Sequence, residues 1–281
     1  MHKGLTRAGL GAVEGPRHLI ELAGRSGFQS VDLDAKSLLD LYGLEESLRI
    51  LEENRVSIGS IALPVEWRGT EDKFLEGFQD LASHAAAAKA LGCARCCTYI
   101  LPSTDEPAAS FMAAAIRRLR LCAVVLGAYG IRLGLEFVGP HHLRTRWSHP
   151  FIWTMKDTLD LIDSIGECNV GLLLDSYHWH TTGLGADDIE SLGKERIVHV
   201  HLNDAPAVPV EEALDNGRLY PGEGVIDLAA FLKALRNIGY DGPITQEVLS
   251  ASPPSGTPEE LAERSKLAFD RVFEGAGMES A

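Results

Sequence analysis

The chain of 281 residues carries 26 Lys and Arg against 40 Asp and Glu, a net charge of −14 that repels a phosphate backbone and argues against a nucleic-acid partner. It has no apolar run near the roughly twenty residues that span a bilayer and no basic-then-apolar leader pattern, so a cytoplasmic protein with no membrane partner is expected. Five cysteines, among them Cys93, Cys96 and Cys97, lack the second pair or matched histidines of a zinc knuckle and read as small buried apolar residues.

In chain order, branched-chain-rich runs suited to buried strands fall at about 4–10, 28–34, 57–64, 94–101, 131–138, 170–175, 197–203 and 243–249. Helical patterns fill the gaps, at about 16–25, 38–54, 70–91, 107–128, 155–165, 187–195, 227–238 and 258–273. Gly27, Gly92, Gly130, Gly166, Gly239 and Gly242 sit where helices should stop, and Thr70 sits where one should start. Eight strand–helix units in strict alternation imply a parallel sheet that closes on itself, so the fold expected is an α/β (β/α)8 TIM barrel, one domain over 1–281. An open doubly wound sheet shares the alternation, but no Gly-x-Gly-x-x-Gly follows the first strand. Segments 205–219 and 251–257 contain proline and read as flexible loops.

Four of the runs end in a metal-capable side chain: Ile-Arg-Leu-Gly-Leu-Glu136, Val-Gly-Leu-Leu-Leu-Asp175, Ile-Val-His-Val-His201 and Pro-Ile-Thr-Gln-Glu247. One such carboxylate is ordinarily a salt-bridge partner. Four on consecutive strands are another matter, because the carboxyl ends of barrel strands converge on one basin. Three carboxylates and one imidazole form a mostly hard donor set, suited to one divalent ion, Mn(II) foremost, with Mg(II), Co(II) or zinc as alternatives.

The order and spacing of Leu-Glu136-Phe, Asp175-Ser-Tyr-His178, His199-Val-His201-Leu-Asn-Asp204, Pro221-Gly-Glu-Gly224 and Glu247 resemble the xylose isomerase-like barrels. Within them the chain looks most like the sugar epimerases and isomerases of the D-tagatose 3-epimerase and inosose isomerase type. The resemblance covers nearly the whole chain. It implies that Glu136, Asp175, His201 and Glu247 hold one divalent metal, that Glu136 and Glu247 are also the catalytic acid and base, and that His178 contacts a substrate oxygen. The chemistry implied is proton abstraction next to a carbonyl through an enediolate that the metal stabilises. Two carboxylates serving opposite faces give epimerisation, one face gives isomerisation, and loss of a β-hydroxyl gives a dehydratase or lyase. A barrel that binds a sugar without turnover is the non-enzyme alternative, and a homo-oligomer is compatible with any of these.

The expected partner is a small sugar or cyclitol. Trp67, Trp147, Trp153 and Trp179 all fall in carboxyl-end loops, where rings stack on sugars or on neighbouring loops, and Trp67 and Trp179 are the two expected at the substrate. Arg144, in the basic segment 141–149, is expected to clamp the substrate, and Asp204 to accept a hydrogen bond from the ligand His201. His199, two residues before His201, shares its face deeper in the barrel and reads as a satisfied core histidine. The turn Gly222-Glu-Gly224 has the shape of a phosphate cradle, but Glu223 speaks against an anion there. The resemblance also implies an Arg shortly after the seventh-strand His, and none occurs before Arg218. That departure turns the expected substrate toward an inosose, a keto-inositol or a keto-glycoside.

Overall fold

The computed structural model describes residues 1–278; the last three residues of the expected domain lie outside the described residues. Eight barrel strands are present: β1 His2–Leu5, β2 Ser30–Val31, β3 in two pieces Ser57–Ile58 and Ile61–Ala62, β4 Arg95–Ile100, β5 Arg132–Phe137, β6 Val170–Asp175, β7 Ile197–Leu202 and β8 Pro243–Gln246. All pair in parallel, in the order β3, β2, β1, β8, β7, β6, β5, β4 and back to the second piece of β3. The ring therefore closes through one interrupted segment. Helices cover its outer face, which is why β6 and β7 are buried at every position and carry almost no alternation.

Several helices start on a side chain that accepts backbone N–H groups left free in the first turn. Thr70 accepts from Lys73, Thr154 from Asp157 and Thr257 from Glu260. Two such caps are carboxylates at or just beyond strand ends: Asp34 before helix Ala35–Asn54, and Asp175, the last residue of β6, before the short helix Ser176–Thr181. Asp175 thus ends a strand and begins a helix, which leaves its carboxylate little freedom.

The departures from expectation have local causes. The helix expected over 187–195 is a short turn of helix, Ala186–Glu190, followed past Gly193 by a 3₁₀ turn, Lys194–Arg196. The connection after β5 folds into helix His141–Arg144 and a strand His149–Pro150 that pairs antiparallel with Ser103–Thr104. Segment 205–219, expected as a flexible loop, is tied back by backbone bridges from Asp204 to Leu219 and from Gly217 to Ser250. Cys93, Cys96, Cys97 and Cys122 are buried thiols without disulfides.

Candidate metal and acid–base site

Glu136 lies one residue from the end of β5, Asp175 at the end of β6, His201 one from the end of β7, and Glu247 just past β8. The register sets His201 level with Asp175 and with Thr245, and Glu136 level with Leu173, so the four positions, far apart in sequence, are staggered by no more than two residues from one strand end to the next. One ligand atom from each lies within 4.8 Å of all the others. His201 Nδ1 stands at the centre, 3.4 Å from Glu247 Oε2, 3.6 Å from Glu136 Oε1 and 3.9 Å from Asp175 Oδ2. Asp175 Oδ1 accepts the N–H groups of Tyr177 and His178, which aims Oδ2 at the same point. Glu136 Oε1 and His201 Nδ1 are buried with no hydrogen-bond partner. Orphaned polar atoms facing one centre are what a cation site requires, and the donor set fits a divalent ion.

A buried guanidinium balances this charge. Arg218 Nη1 donates to Asp175 Oδ2 at 3.0 Å and to Glu247 Oε2 at 2.8 Å, while Nη2 donates to Asp215 Oδ1 at 2.8 Å. The expected Arg is therefore missing from the sequence neighbourhood of His201 but not from its surroundings. The tied-back 205–219 segment delivers it. His178 belongs to the same network: its Nδ1 accepts from the Gly139 N–H at 3.3 Å, and its Nε2 lies 3.2 Å from Arg218 Nη2 and 3.9 Å from Glu136 Oε1.

The two glutamates differ in proton affinity. Burial raises the Glu136 carboxyl, and the neighbouring charge of Glu247 raises it further. Burial also pushes Glu247 upward, but the charges of His201 and Arg218 outweigh it and hold Glu247 well below the usual carboxylate range.

A cavity of about 420 Å³ opens from Glu136, His201 and Glu247 toward the ends of β2, β3 and β4. Its polar wall includes Asp32, Asp34, His84 and Thr98, and its apolar wall Leu33, Ile61, Ala62 and Pro64. None of the tryptophans lines it. Trp67 is fully buried, donates from Nε1 to Thr98 Oγ1 at 3.0 Å and stacks on Phe111. Trp179 donates to the Gly185 carbonyl at 3.1 Å and packs edge-on against Phe231. The expectation that these two rings face a substrate is corrected: each spends its N–H and its face on the fold. Trp179→Phe is accordingly expected to cost about 1 kcal/mol of stability for the lost hydrogen bond while leaving divalent-ion affinity at the wild-type value, as denaturant melts and chelator competition would read.

Arg144 is corrected in the same sense. Its Nε donates to the Gly139 carbonyl, its Nη2 to the Thr181 carbonyl, and its guanidinium stacks 3.6 Å over the Trp153 ring, so it fastens the post-β5 connection and does not reach the cavity. Asp204 does not touch His201. It accepts N–H groups from Ala205, Gly222, Gly224 and Ile226, filling the turn that had the shape of a phosphate cradle. A Cβ at Gly224 would collide with the Ala205 carbonyl oxygen and stand 2.6 Å from Asp204 Oδ1, so the glycine admits both the backbone and the carboxylate.

Sequence reasoning missed two residues. Asp32, just beyond β2, places Oδ2 2.7 Å from His199 Nε2 and 3.4 Å from His201 Nε2. It follows Phe28, Gln29, Ser30 and Val31, a segment half polar and paired over only two residues, so the signal that marked the other four is weak here. Arg218 carried no local signal. Only the fold brings it home.

A closed parallel barrel with three carboxylates and an imidazole gathered at the carboxyl ends of its strands defines a class of protein built around a divalent cation. Residues 20–269 match the xylose isomerase-like TIM barrel family model, and the chain belongs to that family. It is similar to inosose isomerase of Bacillus velezensis, 30% identical over 155 residues, 54% of this chain and 52% of that protein. It is also similar to 3-dehydroshikimate dehydratase of Pseudomonas aeruginosa, 33% identical over 159 residues, 55% of this chain and 23% of that one. The matched segments span about half the length of the inosose isomerase and less of the dehydratase. Among solved structures, a xylose isomerase domain protein from Alicyclobacillus acidocaldarius superposes with a TM-score of 0.91 at 33% identity, covering 99% of both chains. An IOLI protein with a bound zinc atom superposes at 0.79 with 20% identity, covering 97% of this chain and 98% of that one, a likeness of fold.

Proposed function

We propose that the protein is a divalent-metal-dependent isomerase or epimerase that moves a proton on a carbon next to a carbonyl of an uncharged sugar or cyclitol. The observation that carries this reading is the placement of Glu136 and Glu247, two carboxylates whose ligand atoms lie within 4.8 Å of each other and of those of Asp175 and His201 at the floor of a cavity. Glu136, Asp175, His201 and Glu247 hold the ion. When bound, it supplies Lewis-acid polarisation of the carbonyl and its neighbouring hydroxyl, without which the adjacent C–H is too weak an acid for a carboxylate. Mn(II) is the ion this donor set favours, with zinc the rival that the solved IOLI protein supports.

Glu247, with 22% of its side chain exposed against 10% for Glu136, is the more open to the cavity and removes the proton. Glu136 returns it. His178 and Arg218 orient the pair from behind. Return on the opposite face inverts the centre, and return to the neighbouring carbon shifts the carbonyl. The substrate is uncharged because Asp32, Asp34, Glu136 and Glu247 all face the cavity, while Arg218 is already shared among Asp175, Asp215 and Glu247.

A dehydratase acting on a keto-inositol or 3-keto-glycoside is the second reading, favoured by the likeness to 3-dehydroshikimate dehydratase. Among the described residues no helix is long and apolar enough to cross a membrane, and a cytoplasmic single-domain enzyme over 1–281 is the setting we propose. The test is incubation of the Mn(II)-loaded protein in heavy water with a panel of ketoses, inososes and 3-keto-glycosides, read by proton NMR. The expected outcome is loss of one signal beside the carbonyl, with a new stereoisomer or positional isomer, abolished by chelator. Elimination of water in place of rearrangement selects the dehydratase. No exchange with any compound rejects the proton-transfer reading.

A further inference from the structure

We infer that Asp32 is a positioning residue for the metal ligand: its carboxylate holds the hydrogen of His201 on Nε2, so that Nδ1 presents its lone pair to the cation site. The inference rests on the metal-site reading above and gives Asp32 a role at the ligand His201 that the reading does not assign.

The geometry is specific. Asp32 sits under the cluster with only 12% of its side chain exposed, between two histidines of β7 that share a face because they are two residues apart. Its Oδ2 is 2.7 Å from His199 Nε2 and 3.4 Å from His201 Nε2. An ionised carboxylate only accepts, so both ring atoms must donate. For His201 this leaves Nδ1 as the atom free to bind a cation, and that is the atom lying 3.4–3.9 Å from Glu247, Glu136 and Asp175. His199, wholly buried and the closer partner, anchors Asp32 from below.

The backbone makes room for this arrangement. A Cβ at Gly59 would stand 2.6 Å from Asp32 Oδ1, and β3 is interrupted at that point. Metal-bound histidines generally need such an acceptor, and removing it typically costs about 10–100-fold in metal affinity or activity.

Asp32, His199 and His201 also present three donor atoms within 4.8 Å, the arrangement of a second ion site. A second ion would require the same His201 Nε2 to give up its hydrogen. The two arrangements are mutually exclusive, and the 2.7 Å contact to His199 is that of a hydrogen bond.

The test compares wild type, Asp32→Asn and Asp204→Asn by competition for Zn(II) against a chromophoric chelator, with folding checked by circular dichroism. Asp32→Asn is expected to weaken the ion about 10–100-fold, because the amide can offer N–H where the carboxylate accepted. Asp204→Asn, more deeply buried than Asp32 but committed to a turn, is expected to leave affinity unchanged. In Zn(II)-loaded wild type labelled with ¹⁵N-histidine, His201 should show a protonated Nε2 and a metal-bound Nδ1, a result that needs no variant to fold. Equal affinity for wild type and Asp32→Asn, ligation through Nε2, or two ions per chain overturns the role of Asp32 and leaves the metal-site reading standing. Failure of wild type to bind any ion overturns both.

Discussion

Glu247→Gln is expected to retain a bound divalent ion and to lose exchange of solvent deuterium into substrate, with turnover reduced about 10²–10⁴-fold, the range ascribed to one general base. Gln keeps an oxygen where Glu247 Oε2 stands 3.4 Å from His201 Nδ1, so the donor set survives in form while the proton acceptor is gone. Metal content by elemental analysis and deuterium incorporation by NMR separate the two effects. Unchanged exchange would show that Glu247 does not move the proton. Loss of the ion together with exchange would show that its charge, and not its basicity, is what the site needs.

Arg218→Ala is expected to destabilise the metal-free protein by about 3–5 kcal/mol, because it strips the partner from carboxylates that remain buried. Arg218 is 2% exposed and Asp175 wholly buried, so water cannot replace the guanidinium. The pH dependence follows from the partners. Burial pushes the Asp215 carboxyl up, but the Arg218 charge outweighs it and holds Asp215 below its ordinary value, as it helps to hold Glu247. A depressed folded value contributes stability above the ordinary carboxylate range that is lost as pH falls through the folded value. The variant lacks that contribution, and its buried carboxyls take up protons at higher pH. The gap between wild type and variant should therefore narrow on acidification. Urea melts in chelator at pH 7 and at about pH 3 measure it, since the wild-type contribution is lost only below the ordinary carboxylate range, and adding a divalent ion at pH 7 should recover part of the loss by supplying the missing positive charge. A constant gap across that range would mean that the guanidinium contributes by packing alone.

The barrel and the four metal-capable side chains gathered at its strand ends were legible because both rest on short-range pattern. Buried parallel strands read as unbroken apolar runs, and a charged residue closing such a run stands out, as Asp175 does after Val170–Leu174. What the sequence concealed depends on partners brought from elsewhere. Trp67 and Trp179 were placed on the correct loops, yet whether an indole faces a cavity is decided by Thr98 and Phe111 for one and by Gly185 and Phe231 for the other. Asp204 has the spacing of a histidine partner, but the turn at 222–226 claims its oxygens first. Asp32 was hidden by a strand of two residues, and Arg218 by a connection that reads as loose and proves to be bridged at both ends.

The turn around Gly222 and Gly224 bears on metabolism as well as on folding. It lies in the connection after β7, where barrels of this architecture commonly receive a phosphoryl group, and its N–H groups converge as such a seat requires. The seat is taken by the chain's own Asp204. A phosphoryl group would find this seat already filled by a tethered carboxylate, so phosphate is expected not to bind there.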